Sequence, residues 1–103
     1  MSTRYTLYIP KEAFIVEVSA EIAKLTRLFR GATRTEGTGV WYNEAGDAVC
    51  EDVYVFTFLT AGEWHNVQYQ VRSIEREISR LSGEDIILSH HEQTNLSFTL
   101  PLT

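Results

Sequence analysis

The residues best suited to ligand chemistry lie in one short segment, Arg34-Thr35-Glu36-Gly37-Thr38-Gly39, which is followed by Trp41. Its two glycines allow close approach to the backbone, its threonines offer hydroxyls, and Arg34 is a charge-assisted donor. Trp41 offers a flat ring on which a planar group can stack. We predict a ligand-binding turn against the alternative of a β-bulge without a ligand, and its residues are Arg30, Arg34, Thr35, Glu36, Gly37, Thr38, Gly39 and Trp41.

The three histidines raise the question of a metal site. His90 and His91 are adjacent, so on a strand they point to opposite faces and cannot share one ion. His65 can join either of them only through the fold. Cys50, the single cysteine, is followed by two acidic residues that disfavour its thiolate. We therefore predict no metal site, no cofactor and an ordinary thiol.

Charged side chains elsewhere favour structural roles. Arg72, Arg76 and Arg80 recur every four residues, and interleaved glutamates such as Glu75 can pair with them. This stripe is predicted to be a solvated or subunit-facing surface, with an anion-binding ridge as the alternative. The carboxylates near the glycine segment lie in no recognisable pocket that would shift their pKa values, so no catalytic residue is assigned.

Composition limits the classes of function. A chain of 103 residues with 44% hydrophobic residues is predicted to be one domain, 1–103, with a real core. Its net charge of −5 disfavours nucleic acid and anionic membranes as partners. A single cysteine fits a reducing compartment, and no apolar run approaches a membrane span, so we expect a cytoplasmic protein.

In the first half of the chain, the spacing of the apolar residues changes twice. Arg4 to Ile9 alternates as a half-buried strand that Pro10 stops. From Lys11 apolar residues recur at intervals of three and four up to Phe29, which predicts an amphipathic helix ended by Gly31. Ala32 to Tyr42 then reads as a strand, with a bulge expected at its glycines.

The second half repeats this order. Asn43–Asp47 is a hairpin turn, and Glu51 to Leu59 is a β-branched and aromatic strand. A second helix follows Ala61-Gly62 and ends at Ser82-Gly83, and its apolar stripe is formed by Val67, Val71, Ile74, Ile78 and Leu81. Asp85 to Ser89 reads as a short strand. Asn95 to Leu100 alternates again and predicts a possible extra strand, at an edge or swapped between subunits.

These elements predict an α+β, ferredoxin-like βαββαβ fold with two helices on one face of an antiparallel sheet. The opposite face of the sheet is then open, and the strands carry more large side chains than one layer of helices can cover. We predict that another subunit covers it, led either by Tyr54, Phe56 and Phe58 or by the alternating Val53 and Val55. A charged residue at position 56 is expected to break the assembly, or to unfold the chain if Phe56 faces the core.

Two segments carry a family resemblance. Gly31 to Glu36, followed by Gly37 and Gly39, resembles the Gly-x-Thr-x-Thr-Glu start of the second strand in the nitrogen-regulatory P-II superfamily, which includes CutA-like proteins. Ser82 to Ile87 is faintly similar to the segment before that family's last core strand. The element order matches over nearly the whole chain. Short uncharacterised bacterial and phage proteins with a glycine-threonine turn share the resemblance.

The resemblance implies a homo-oligomer, typically a trimer, that binds nucleotides or small metabolites between subunits. The tight Asn43–Asp47 turn stands where the family has a long regulatory loop. Ser82 to Asp85 carries acids where the family's phosphate loop has lysine. The resemblance therefore supports the family's fold and oligomeric state for this chain more strongly than it supports the family's ligand.

Three hypotheses of function follow. The first is a non-enzymatic module that binds a small anionic or nucleotide-derived ligand as a dimer or trimer. The second is a protein-interaction module, such as a phage-type inhibitor or a sponge for signalling nucleotides. The third is a small cofactor-free dimeric enzyme with His65 or His90 as base and Trp41 or Tyr42 lining the pocket.

Overall fold

Two helices pack on one face of a four-stranded antiparallel sheet. The computed structural model describes residues 2–60, 64–83 and 89–94. Its elements are β1 (Ser2–Pro10), a 3-10 turn (Lys11–Ala13), α1 (Val16–Phe29), β2 (Thr33–Tyr42), β3 (Ala48–Thr60), α2 (Trp64–Ser82) and β4 (Ser89–Thr94). The strands lie in the order β2-β3-β1-β4, and all neighbours are antiparallel. The predicted ferredoxin-like fold is confirmed.

The core lies between the helices and one side of β1 and β3. Tyr5, Leu7 and Ile9 are fully buried, whereas Tyr8 between them is exposed, as the alternation predicts. The helices contribute apolar stripes to the same cluster, in which the buried members are Val18, Ile22, Leu25 and Phe29 of α1 and Trp64, Val71 and Ile78 of α2. Because one continuous cluster joins both layers, apolar burial holds the helices on this face.

The aromatic residues of β3 lie on the core side. Phe56 and Phe58 are buried beneath the helices, and Tyr54 packs against the same cluster. Of the two predicted alternatives for the open face, the one led by Tyr54, Phe56 and Phe58 is therefore excluded, and the alternating Val53 and Val55 occupy that face. A charged residue at position 56 would enter the core, so it is expected to unfold the chain. Whether another subunit covers the open face stays a prediction.

Helix α1 begins later than its pattern suggests and ends at Phe29, the last residue of the pattern. After Pro10 the chain forms the 3-10 turn, and the α-helix starts at Val16. At the other end Arg30 adopts the left-handed conformation with φ 66°, and its N–H donates to the carbonyl of Thr26. Gly31 follows at φ 152° and donates to the same carbonyl at 2.9 Å. Arg30 and Gly31 together end the helix, whereas the sequence predicted this role for Gly31 alone.

The β2–β3 hairpin forms where the turn residues predict it. Asn43 closes the turn: its N–H donates to the Asp47 carbonyl, and its side chain accepts from the Asp47 N–H, both at 3.0 Å. Gly46 takes φ 85°, which suits glycine. The pairing runs without interruption from Thr33 opposite Thr57 to Tyr42 opposite Ala48. The predicted bulge at the glycines is therefore wrong.

The last described strand lies further along the chain than predicted. The prediction placed it at Asp85 to Ser89, whereas β4 is Ser89–Thr94 and pairs with β1. Residues 85–88 and the predicted extra strand, 95–100, lie outside the described residues. The predicted end of α2 at Ser82-Gly83 is confirmed. No helix in the described part is long and apolar enough to cross a membrane.

Candidate functional site

The pleat of β2 divides the predicted ligand-binding turn between two faces. Arg34 is opposite the core residue Phe56, so the even-numbered site residues Arg34, Glu36 and Thr38 lie on the helix side. The odd-numbered residues lie on the open side, and these are Thr35, Gly37, Gly39 and Trp41. The structure therefore does not bring the predicted residues together around one ligand within a single subunit.

On the helix side, two cations flank one aromatic ring. The Arg34 guanidinium carbon lies 4.9 Å from the centroid of the Tyr54 ring, and Lys11 Nζ lies 5.3 Å from it. Lys11 also forms an ion pair with Glu36. Phe14 packs edge-on against Tyr54 with 5.1 Å between ring centroids. We call Lys11, Arg34, Glu36 and Tyr54 the Tyr54 cluster.

The charged groups of the Tyr54 cluster differ in whether they have an ion-pair partner. The hydrogen bond from Lys11 lowers the pKa of Glu36 below its ordinary value of 4.5 and, in return, Glu36 raises the pKa of Lys11 above 10.5. Neither group is buried, so this pair adds little stability. Arg34 forms no ion pair within the described part of the chain. Its guanidinium fork therefore remains available for an anion, held against the ring by a cation–π contact.

On the open side, glycines make room for a tryptophan ring. A Cβ added at Gly39 would lie 3.4 Å from Trp41 Cζ3 and 3.7 Å from Val53 Cγ1. Because residues 39 and 41 share a face, the ring lies partly over the glycine and shields its backbone. Trp41 nevertheless keeps 43% of its surface exposed. The glycines therefore accommodate neighbouring side chains on a regular strand.

A notch opens where β1 stops and the hairpin continues. Pro10 pairs with Val53, whereas residues 48–52 of β3 pair with β2 alone among the described residues. The notch has a volume of about 450 Å³, and it is lined by Lys11, Glu12, Trp41, Val49, Cys50, Glu51 and Asp52. We call it the β3 notch. Three carboxylates against one lysine give it a negative field, which suits a cation or a neutral group better than an anion.

The remaining predicted residues stand apart from both surfaces. Arg30 ends α1 and is exposed, and no described contact joins it to Trp41 or Arg34. Along α2, Arg72 pairs with Glu75 at 2.7 Å and Arg80 pairs with Glu77. Two of the three arginines in the stripe are thus paired with glutamates three residues away, and Arg76 forms no ion pair among the described residues. Exposed His65 lies at the start of α2.

Metal ligands do not converge in the described part of the chain. No group of three or more histidine, cysteine, aspartate or glutamate residues there could hold an ion. Two contributors to the candidate surfaces, Lys11 and Tyr54, escaped the sequence reasoning. Lys11 is distant from Arg34 in sequence, and only the strand order β2-β3-β1 brings them together. No local pattern signals such a contact.

Solved structures share this fold at low sequence identity. A phage SAM lyase in complex with S-methyl-5′-thioadenosine is 12% identical, covers 89% of this chain and 81% of its own, and gives a TM-score of 0.66. The divalent cation tolerance protein (Cut A1) of Thermus thermophilus is 14% identical. The match covers 96% of this chain and 92% of that protein, with a TM-score of 0.59. The periplasmic divalent cation tolerance protein CutA of Archaeoglobus fulgidus is 10% identical. The match covers 92% of this chain and 85% of that protein, with a TM-score of 0.60.

These likenesses identify a fold class. The chain has the ferredoxin-like fold of CutA-type proteins, so the resemblance to the P-II and CutA superfamily is confirmed at the level of fold. No model of a known protein family matches the sequence, and neither does any curated protein. Identities of 10–14% to these three structures support a shared architecture and not a shared chemistry.

Proposed function

We propose that the protein is a non-enzymatic, homo-oligomeric module that binds a small anionic or nucleotide-derived ligand. The observation that carries the proposal is Arg34, an exposed guanidinium that lies over the Tyr54 ring and forms no ion pair among the described residues. Its charge also helps to lower the pKa of Glu36. A planar fork of this kind suits phosphate or carboxylate groups. Lys11 beside it is paired with Glu36, so the Tyr54 cluster as a whole keeps one positive charge.

The ligand site is proposed to lie between subunits. Arg34 and Trp41 lie on opposite faces of β2, so one ligand reaches both only when different copies contribute them. The β2 strand is exposed along nearly its whole length, which leaves room for such a neighbour. The CutA-type fold supports an oligomeric module, and the ligand class rests on Arg34. The proposed site comprises Arg34, Thr35, Glu36, Gly37, Thr38, Gly39 and Trp41, with Arg30 at its margin.

The proposal is tested by thermal stability with defined probes. Melting curves are recorded with inorganic phosphate, adenosine mono-, di- and triphosphate, and S-methyl-5′-thioadenosine. A ligand at about a hundred times its Kd stabilises the folded state by roughly 2.7 kcal/mol, which raises Tm by several degrees. Arg34→Gln is expected to abolish the shift, whereas Arg27→Gln, an exposed arginine on α1, keeps it.

Two results contradict the proposal. One is the absence of any shift with all five probes at millimolar concentration. The other is an equal loss of the shift in both variants, which would trace the effect to net charge instead of to Arg34.

A second candidate function is catalysis on S-adenosylmethionine. Two likenesses favour it: the phage SAM lyase with its bound ligand, and the same class of enzyme without ligand, at TM-scores of 0.66 and 0.59. The negative field of the β3 notch also suits a sulfonium cation, and Trp41 offers a ring for cation–π contact. Consumption of S-adenosylmethionine followed by chromatography tests it. Asp52→Asn is expected to slow turnover and Asp47→Asn, in the hairpin turn, to leave it unchanged.

A further inference from the structure

We propose that Glu36 occupies the anion position of the Tyr54 cluster in the free protein and that a ligand binds there by displacing it. Glu36 then selects the ligand by charge, so that a phosphate monoester or another dianion binds and a monocarboxylate does not. The inference rests on the proposed function, because it concerns the same Arg34, and it narrows the ligand class from anions in general to dianions.

The sheet places two cations and one carboxylate around a single ring. Glu36 is directly opposite Tyr54 in the β2–β3 pairing, and Arg34 lies two residues earlier on the same face. Lys11 approaches from the other side of β3, because it follows the last residue of β1 in a sheet of order β2-β3-β1. The Arg34 guanidinium carbon is 4.9 Å from the ring centroid and Lys11 Nζ is 5.3 Å from it. An anion beside this ring therefore has two cations within reach.

Glu36 already acts as such an anion. Its carboxylate forms an ion pair with Lys11. The hydrogen bond from Lys11 is the largest cause that lowers the pKa of Glu36, and the charges of Lys11 and Arg34 add to it. Both cations therefore act on this one carboxylate. A ligand anion that contacted both cations would lie in the same field, where two anions repel each other, so Glu36 and the ligand are alternatives.

The charge of the ligand decides whether it replaces Glu36. Glu36 is tethered beside Lys11, and a tethered group has an effective concentration in the millimolar range. A free monocarboxylate has the same two oxygens and the same single charge, so at lower concentration it does not displace Glu36. At Arg34 alone it meets one exposed cation beside a like charge, and such a contact is weak.

A phosphate group differs from Glu36 in charge and in shape. It carries a charge of about −1.5 to −2 and three acceptor oxygens, so it accepts from the guanidinium fork and from the ammonium group together. Its gain over a single carboxylate is the second contact and the additional charge. The Tyr54 cluster therefore favours phosphate monoesters over carboxylates.

Calorimetric titration with inorganic phosphate and with acetate tests the inference, in mildly alkaline buffer where phosphate is a dianion. Glu36→Gln removes the competing charge and keeps the shape of the side chain. Because this side chain is 60% exposed, the variant is expected to keep its fold, which a melting curve checks. A unit charge about 4 Å away changes a binding constant about fivefold even in water, so Glu36→Gln is expected to bind phosphate at least fivefold more tightly. Acetate is expected to bind to Glu36→Gln and not to the unmodified protein.

Glu44→Gln is the matched control for the loss of one negative charge. Glu44 is exposed in the hairpin turn. The six residue steps from Glu36 to Tyr42, the end of β2, span about 20 Å at roughly 3.3 Å per residue. Salt screens exposed charges at that distance, so both affinities of Glu44→Gln are expected to equal those of the unmodified protein.

A second comparison asks whether Lys11 contacts the bound anion. In the Glu36→Gln background, Lys11→Met is expected to weaken phosphate binding about fivefold or more, because it removes one of the two cations. Arg27→Gln in the same background is the control for net charge, since Arg27 is an exposed arginine on α1, and it is expected to leave the affinity unchanged.

Four results would overturn the inference: acetate binding by the unmodified protein as tight as phosphate binding, no gain in Glu36→Gln, an equal gain in Glu44→Gln, or no effect of Lys11→Met in the Glu36→Gln background. The last result would place the anion on Arg34 alone. When the unmodified protein binds phosphate, any of the four overturns this inference and leaves the proposed function standing. Failure of every variant, Glu36→Gln included, to bind phosphate would overturn this inference together with the proposed anion site.

Discussion

At the scale of single residues, the hydroxyl of Tyr5 is a polar group on a buried side chain with a defined partner. The side chain is fully buried among Phe29, Phe58 and Trp64, and its hydroxyl donates to Glu75 Oε2 at 2.5 Å. Glu75 in turn accepts from Arg72 at 2.7 Å. A buried hydroxyl needs such a partner, and the partner here links β1 to α2. The network therefore fixes the second helix on the sheet.

Replacing Tyr5 with phenylalanine keeps the ring and removes the donor. Hydrogen bonds to charged groups contribute about 1.5–3 kcal/mol, so Tyr5→Phe is expected to lower the free energy of unfolding by that amount. Urea denaturation measures it. Tyr8→Phe is the matched control, because Tyr8 lies on the same strand with its side chain exposed, and its stability is expected to change little. Equal effects in the two variants would contradict the role of the Tyr5–Glu75 bond.

The Tyr54 cluster predicts the titration of one carboxyl group. Lys11 lowers the pKa of Glu36, so the pair contributes stability above the ordinary pKa of 4.5 and loses it as the pH falls through the lowered value. For Lys11, the raised pKa means that the contribution is present below 10.5 and is lost as the pH rises through the folded value. Neither side chain is buried, so the effect on stability is small.

In Lys11→Met, the pKa of Glu36 measured by NMR is expected to rise toward its ordinary value. Glu77 is the internal control, because Arg80 and not Lys11 lowers its pKa. A Glu36 pKa that stays where it is in the unmodified protein would show that the Lys11 contact is not formed in solution.

At the scale of elements, the β2–β3 hairpin shows what the glycines do. Gly37 has room for a methyl group, since an added Cβ would make ordinary van der Waals contacts at 3.9 Å with Val53 and 4.0 Å with Val55. Gly39 faces Trp41 at 3.4 Å, so a methyl group there touches the ring. Replacing glycine with alanine at a compatible position stabilises a protein by about 0.4–1 kcal/mol, mainly through the unfolded chain.

Gly37→Ala is therefore expected to raise Tm without changing tryptophan fluorescence. Gly39→Ala is expected to alter the emission of Trp41 because the added methyl group contacts the edge of the ring. Thermal melts and emission spectra measure both effects. A fall in Tm for Gly37→Ala would indicate that its backbone needs the freedom of glycine after all.

The elements were largely predictable because each has a clear period. Alternation in β1, the stripe of α2 and the Asn43 turn all reflect local chemistry that the structure retains. The faces of β3 were harder, since Val55 and Phe56 are both apolar and only the helices determine which side is core. The prediction of a bulge was wrong because a glycine in a strand can either form a bulge or leave room for a neighbouring side chain. Gly39 does the second, since the Trp41 ring lies over it.

The candidate site was only partly predictable. The pleat separates Arg34 from Thr35, which the period of two could have indicated once the segment was assigned to a strand. The contact of Lys11 with Tyr54 depends on strand order and carries no local signal. The β3 notch likewise depends on where β1 stops relative to β3, a difference in length that becomes visible only in the paired sheet.

At the scale of the whole molecule, the β2–β3 hairpin continues past the end of β1, since residues 48–52 of β3 pair with β2 alone among the described strands. Val40, Trp41 and Tyr42 in this part of the hairpin are exposed, and all of them are large apolar residues. Leu59 and Tyr8 are exposed as well. A neighbouring copy that buries such surface gains roughly 25 cal/mol per Å², from which the cost of association is subtracted. The exposed apolar surface thus favours self-association.

Native mass spectrometry of the protein, purified without denaturation, tests the central claim most directly, because it reports the number of copies and any retained ligand together. We predict a homo-oligomer that carries an additional small mass, with that mass lost in Arg34→Gln and kept in Arg27→Gln. A single copy without added mass at micromolar concentration would contradict the account of an oligomeric ligand-binding module.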